Sequence, residues 1–177
     1  MQNTADSAHA VVCRAMIHKD IVPILDQFEE QEGIRPQRRF ELYYNEQQEG
    51  QRYVIVAEYQ GEIVGYVTLY PDCKDSVPFR GKGIPEIKDF HVFTKHQRRG
   101  FGTKLMDAVE AIAASIADTV CLGVGLHAGY GSAQRMYVKR GYIPDGTGVW
   151  DGLHPAQPYS MVENGDDLVL LMSKKLR

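Results

Sequence analysis

Two arginines and two glycines lie together where a predicted strand turns into a predicted helix. Arg98, Arg99, Gly100 and Gly102 follow an apolar, β-prone segment and precede an amphipathic one. At such a junction the first helical N–H groups have no partner inside the helix, and the helix dipole favours negative charge beside them. Glycine lets a bulky anion approach the backbone, and arginine adds positive charge. The pattern predicts a cradle for a phosphate or pyrophosphate.

Two well-known phosphate-binding loops do not fit this turn. A Walker P-loop needs Lys-Ser or Lys-Thr after its last glycine, whereas Gly102 is followed by Thr103 and then Lys104. A dinucleotide fingerprint needs a third glycine where Leu105 stands. A helix cap with a solvated basic cluster is the simpler alternative, so the interpretation depends on the rest of the chain.

The surrounding sequence predicts the elements that position this turn. Alternating and helically spaced apolar residues predict the following order: a strand at 10–16, helices at 21–33 and 36–48, a hairpin at 51–70, a strand at 85–94, a helix at 104–117, a strand at 119–126, a helix at 132–140, a strand beginning at 142 and a strand at 167–172. Glycine, proline and mixed charge predict long loops at 71–83 and 144–166. Hairpins followed by two strand-helix-strand units predict a mixed α/β sheet.

Composition limits the class of protein. The chain has 177 residues, 44% of them hydrophobic, which predicts one domain over residues 1–177. Its net charge of -3, with both signs interspersed, argues against a nucleic-acid or membrane partner. The three cysteines lack metal-ligand spacing, residues 1–9 lack the apolar core of a signal peptide, and no segment reaches membrane-spanning length. We therefore expect a cytoplasmic protein with reduced thiols and no metal.

Two motifs give a resemblance to a known family. The turn from Gln97 to Gly102 resembles the acyl-CoA pyrophosphate loop, Gln/Arg-x-x-Gly-x-Gly/Ala, of the GNAT N-acetyltransferase superfamily. The family's Asn-x-x-Ala-x-x-x-Tyr-x-x-x-Gly-Phe resembles a later segment, although Tyr130 stands where the Asn would be: Ala133-x-x-x-Tyr137-x-x-x-Gly141-Tyr142. The predicted element order is also that of the family, so the resemblance covers nearly the whole chain.

The resemblance implies a fold and a co-substrate. The fold is a mixed, mostly antiparallel central sheet flanked by helices, in which the strand before the loop bulges and parts from the strand after the helix. The pantetheine arm of acetyl-CoA fills the gap like an added strand. The resemblance assigns the contacts with acetyl-CoA to twelve residues: Phe90, His91, Val92, Gln97, Arg98, Arg99, Gly100, Phe101, Gly102, Thr103, Ser132 and Ala133.

The resemblance also implies a chemistry, the direct attack of a primary amine on the thioester. Tyr137 is the predicted acid that protonates the leaving thiolate. Glu86 is the predicted base, because the resemblance places it where some family members carry a catalytic glutamate, and Asp89 and His91 are its competitors. On a regular strand Glu86 points to the opposite face from both, so at most one set sees the acceptor. A non-catalytic acyl-CoA-binding or sensor domain of the same fold is the alternative.

The acceptor is expected between the two long loops and the first two helices. Acidic and aromatic residues there would suit a cationic amine: Asp72, Asp75, Asp145, Asp151, Phe79, Trp150 and Tyr159. A small amine, a polyamine and a peptide amino group all stay open. Homodimers are common in the family, so a homodimer also stays open.

Overall fold

A computed structural model describes residues 10–177; the segment 1–9, predicted to lack a signal-peptide core, lies outside the described residues. Contacts divide the chain into two compact units. The first contains the described part of Met1–Leu69 with Asp89–Ile112, and the second contains Tyr70–Lys88 with Ala113–Arg177. The single-domain expectation therefore stays a prediction.

The helices and strands follow one another in a mixed α/β order. They are β1 (Val12–Ala15), α1 (Ile21–Gln31), α2 (Gln37–Gln48), β2 (Tyr53–Tyr59), β3 (Glu62–Tyr70), β4 (Glu86–Val92), α3 (Phe101–Ile116), β5 (Thr119–Gly125), α4 (Gly131–Lys139), β6 (Ile143–Asp151), β7 (His154–Pro155) and β8 (Leu168–Lys175).

In the first unit, β1 pairs antiparallel with β2, and β2 forms a hairpin with β3. The hairpin turn is Gln60-Gly61, as predicted, and both residues have positive φ, 53° and 80°. That conformation matches the twist of a two-residue hairpin, and glycine adopts it without steric cost.

The core of the first unit is aromatic. The α1 side chains Ile21, Ile24 and Phe28 are buried at helical spacing. The Phe28 ring packs against Phe40 of α2 at 6.0 Å and against Phe93 at 5.0 Å between ring centroids. Buried apolar area of this kind is the main source of stability, so it fixes both helices on the strands.

In the second unit, β8 pairs antiparallel with both β5 and β6, although it follows both in the chain. The start of β4 runs parallel to β5 through the pairs Glu86 with Cys121 and Ile87 with Leu122. Buried Cys73, Phe79, Cys121, Trp150 and Leu171 form the core of this unit. Antiparallel pairs outnumber the parallel one, and the prediction of a mixed, mostly antiparallel sheet is confirmed.

The predicted loop at 144–166 is wrong in its first third, because β6 continues through it. Gly146 and Gly148 have φ near 86°, and the register against β8 shifts between Pro144 and Val149. The glycines that indicate a loop in the sequence here form an irregularity within a strand. The positions of glycine in the sequence alone do not distinguish a loop from an irregular strand.

Each helix within residues 10–177 is too short or too polar to cross a lipid bilayer.

Gly65 of β3 offers a test of the packing around β4. A Cβ at Gly65 would lie 2.5 Å from the His91 carbonyl oxygen and 3.1 Å from Val92 Cα, both backbone atoms that cannot rotate away. We expect Gly65→Ala to lower the free energy of unfolding by about 1–3 kcal/mol, as measured by urea denaturation. Gly123→Ala is the control, because its nearest contact is a leucine side chain at 3.4 Å. Equal losses in the two variants would contradict the close-packing argument.

Candidate functional site

The turn that joins β4 to α3 carries two residues in the left-handed region. Arg98 has φ 61° and Gly100 has φ 85°, and a Cβ at Gly100 would meet nothing within 4 Å. The Lys104 N–H donates to the Gly100 carbonyl at 3.2 Å. The N–H groups of Phe101, Gly102 and Thr103 precede this bond and have no helical acceptor. The helix therefore begins with an open donor face, and its first turn contains no acidic residue.

The side chains of Gln97 and Arg99 stabilise this turn. The Gln97 side-chain amide donates to the Val92 carbonyl at 3.0 Å. The Arg99 guanidinium lies over the rings of Tyr59 and Phe101, 4.9 and 5.1 Å from their centroids. Arg99 thus places its charge beside the turn through cation–π contacts.

Gly102 has a packing role that the sequence did not suggest. A Cβ there would lie 3.2 Å from the Phe90 ring and 3.6 Å from a Val92 methyl group. The glycine therefore lets α3 begin close to β4, in addition to any effect on an anion.

The residue before the turn, His96, is 5% exposed, and neither ring nitrogen has a hydrogen-bond partner within the described chain. Its Nε2 lies 3.4 Å from a Glu62 carboxylate oxygen. Burial lowers the pKa of His96, so the ring is neutral near pH 7. The positive charge at this turn comes from the arginines.

Asp89 interrupts β4 with a left-handed backbone, φ 47°. The Tyr43 hydroxyl donates to Asp89 Oδ2 at 2.8 Å, and the Tyr66 phenol also bonds this carboxylate. Burial and the Asp89 charge raise the pKa of both phenols, so both remain donors. The pairing of β4 with β5 covers Glu86 and Ile87, just before this break.

His91 follows the break and pairs with a carboxylate of α1's C-terminal end. Its Nε2 lies 3.0 Å from Glu32 Oε2, and the Thr94 hydroxyl donates to Glu32 Oε1 at 2.9 Å. The His91 ring packs 4.9 Å from Phe28 and 6.0 Å from Tyr66. Glu32, His91 and the Asp89–tyrosine group thus form one continuous polar and aromatic cluster.

Glu86, the predicted base, is held in a different arrangement. It is 1% exposed, and its oxygens accept hydrogen bonds from the backbone N–H groups of Lys74, Asp75 and Ser76. The Ser76 hydroxyl donates at 2.6 Å, and the Cys73 thiol lies 3.4 Å away. A carboxylate with its lone pairs so engaged has no capacity left for a substrate proton. These contacts favour Glu86 as the anchor of the loop after β3.

Tyr137, the predicted acid, lies on α4 in the second unit and is 5% exposed. Burial raises the pKa of its phenol, which keeps the hydroxyl protonated. The Gln134 side chain donates to the Gly125 carbonyl at 2.8 Å and ties α4 to the end of β5. Ser132 and Ala133 lie in the first turn of the same helix.

The residues expected on the acceptor side have mostly structural contacts. Phe79 and Trp150 pack in the core of the second unit. Asp75 pairs with Lys88 at 2.8 Å, and Asp145 accepts from Thr147.

The sequence reading missed three residues of the first unit: Glu32, Tyr43 and Tyr66. Tyr43 meets Asp89 across 46 positions and Glu32 meets His91 across 59, so no local pattern could have joined them. Helical periodicity does place Tyr43 on the inner side of α2, which was the one available signal.

Comparisons with known proteins assign the chain to a family. A family model described as the acetyltransferase (GNAT) family matches residues 20–142, which include the turn before α3 and all of α4. The chain therefore belongs to the GNAT acetyltransferase family. A search of curated protein sequences found no match.

Solved structures agree with this assignment at the level of the fold. An N-acetyltransferase from Staphylococcus aureus is 14% identical with a TM-score of 0.69, covering 95% of this chain and 99% of that one. The protein yncA from Salmonella typhimurium, solved with its cofactor acetyl-CoA, is 18% identical with a TM-score of 0.67, covering 95% of each chain. A Vibrio cholerae spermidine N-acetyltransferase, in complex with CoA and spermine, is 17% identical with a TM-score of 0.65, covering 94% and 95%.

The anchoring role of Glu86 predicts a loss of stability on substitution. In Glu86→Gln an amide NH₂ replaces one acceptor oxygen and faces backbone N–H donors, which leaves buried groups unpaired. We expect the free energy of unfolding to fall by about 1–3 kcal/mol in a urea titration. Glu163→Gln, at an exposed position of the same unit, is the control and should change little. Unchanged stability in Glu86→Gln would contradict the anchoring role.

Proposed function

We propose that this chain transfers an acetyl group from acetyl-CoA to an amine by direct attack of the amine on the thioester. Family membership gives the acetyltransferase class. The observation that carries the proposal is the turn before α3, where an open left-handed glycine precedes three helical N–H donors. Arg98 and Arg99 supply positive charge beside these donors.

The turn fits the diphosphate of coenzyme A. The N–H groups of Phe101, Gly102 and Thr103 would hold it, and the space above Gly100 leaves room for its bulk. By resemblance, backbone groups of residues 90–92 and the first turn of α4 would contact the rest of the co-substrate. The break at Asp89 supports this assignment, because a bulge frees the following backbone groups from regular pairing.

A substitution at Gly100 tests the cradle. We expect Gly100→Asp to weaken acetyl-CoA binding more than tenfold, because a carboxylate would stand where the diphosphate binds. Calorimetric titration measures the change in affinity.

Gly50→Asp is the matched control. Gly50 also has a left-handed backbone, φ 71°, with nothing within 4 Å of a built Cβ, so the conformational cost is comparable. It follows α2 and carries no role in the proposed cradle. Unchanged affinity in Gly100→Asp, or equal losses in both variants, would argue against the cradle.

The chemistry needs a proton acceptor for the ammonium and a proton donor for the thiolate. When bound, acetyl-CoA supplies an acetyl group activated as a thioester. Asp89 and His91 are the candidate bases, each a half-buried group held by named partners. Glu86 is not among them because its oxygens are occupied. The Tyr137 hydroxyl is the proposed acid, and its raised pKa keeps the proton available throughout the neutral range.

Removal of the Tyr137 hydroxyl tests its role as acid. We expect Tyr137→Phe to lower kcat by about 100-fold with little change in the KM for acetyl-CoA, because general acid catalysis acts in the transition state. Release of free CoA thiol is the assay. Tyr142→Phe removes a second buried phenol whose ring lies 5.7 Å away and serves as the control. Equal rates in the parent and Tyr137→Phe would rule out this acid.

Thiol release over a panel of amines tests the activity itself. A non-catalytic acyl-CoA-binding domain of the same fold would bind acetyl-CoA and release no thiol with any amine. Structural neighbours include spermidine and ribosomal-protein-alanine N-acetyltransferases, whose low identities leave the acceptor of this chain open. A primary amine, either small or on a peptide, is the proposed acceptor class. We also predict a cytoplasmic location, whereas the oligomeric state, including a homodimer, stays open.

A further inference from the structure

Two arginines lie beside the polar and aromatic cluster of the first unit. The Arg35 guanidinium carbon lies 5.0 Å from the centroid of the Phe28 ring. Arg39 lies one helical turn before Tyr43 on α2, so the two side chains share a face of that helix. Its positive charge opposes the rise in the pKa of the Tyr43 and Tyr66 phenols. Both side chains are exposed, and within residues 10–177 neither forms an ion pair with a carboxylate.

The same cluster contains carboxylates that are already partnered by neutral donors or by histidine. Asp89 accepts from two phenols, and Glu32 accepts from Thr94 and contacts His91. The Phe28 ring contacts both Arg35 and His91, so it connects the cationic and anionic parts. One small surface therefore presents negative charge from β4 and α1 and positive charge from the start of α2.

We propose that this surface selects amine acceptors that also carry a carboxylate, with the ammonium towards Asp89 and Glu32 and the carboxylate on Arg35 and Arg39. The inference rests on the proposed function and names its substrate class. Guanidinium groups bind carboxylates through paired N–H donors, and two arginines without carboxylate partners are available for such a bond.

The charge arrangement disfavours a polyamine. A second cationic group on the acceptor would approach Arg35 and Arg39 and be repelled, whereas a carboxylate is attracted. A free amino acid meets both requirements, because it combines an amine with a carboxylate.

Matched acceptors test the proposal. Leucine, leucinamide and 3-methylbutylamine share a side chain and differ at the carboxylate, and spermidine represents the polyamines. We expect kcat/KM for leucine to exceed that for leucinamide at least tenfold, which corresponds to one charge-assisted hydrogen bond. Phosphoethanolamine against ethanolamine distinguishes a carboxylate site from a general anion site. A larger gain from phosphate than from carboxylate would overturn the carboxylate assignment.

The double variant Arg35→Gln/Arg39→Gln should remove the preference by raising the KM for leucine, with kcat and the rate on 3-methylbutylamine unchanged. Arg38→Gln is the control, because Arg38 is exposed beside Arg39 but lies over no aromatic ring within the described residues. A preference that survives the double variant, or a parent enzyme that favours leucinamide or spermidine, would overturn the inference.

Calorimetry of leucine and leucinamide binding, with and without CoA, separates this inference from the proposed function. No thiol release with any amine would contradict acetyl transfer. A binding preference for leucine that is lost in the double variant would still support the anion site. Equal binding of the two ligands by the parent would contradict the anion site even if transfer is observed.

Discussion

Close packing around the middle of β4 is the constraint on which the candidate site depends. Gly65 brings β3 against the backbone of His91 and Val92, and Gly102 brings the start of α3 against Phe90. A Cβ at Gly102 would require the Phe90 ring to move by a few tenths of an ångström, and a Cβ at Gly65 would clash with backbone atoms of β4. The close approach that glycine allows at these two positions therefore fixes the N–H donors at the start of α3, together with the charges near them.

The break at Asp89 shows how polar partners hold an unfavourable backbone. A non-glycine residue in the left-handed region costs about 1–3 kcal/mol, and such strain persists only where the surroundings fix it. Here the phenols of Tyr43 in α2 and Tyr66 in β3 form hydrogen bonds with the Asp89 carboxylate. Aspartate tolerates this conformation better than most residues because its short side chain can bond locally. The strand thus changes course at a residue that is also a candidate base.

Local patterns in the sequence predicted most of the fold and the turn. The hairpin at Gln60-Gly61, the helical stripes of α1 and α3, and the strand-to-helix glycines are features of short segments, and all appear in the structure. The strand β6 was mistaken for a loop because its glycines form an irregularity that only its pairing with β8 reveals. The two partners of Asp89 and the partner of His91 lie more than twenty residues away in the chain. Long-range contacts of this kind have no sequence period.

Glu86 illustrates the same limit for chemistry. Its type and its place at the start of a strand suit a base, but the loop at 73–76 wraps its backbone donors around the carboxylate. Whether an acidic side chain is reactive or structural depends on which donors reach it, and that is decided by tertiary folding.

The pairing of β8 between β5 and β6 has a consequence for synthesis on the ribosome. The strands β5 and β6 emerge first, and each then exposes an unpaired edge until Leu168–Lys175 has left the exit tunnel. The first unit faces no such delay, since its last segment ends at Ile112. A nascent chain halted after the first unit has emerged but before Leu168–Lys175 has emerged would contain a folded first unit and unpaired β5 and β6 strands.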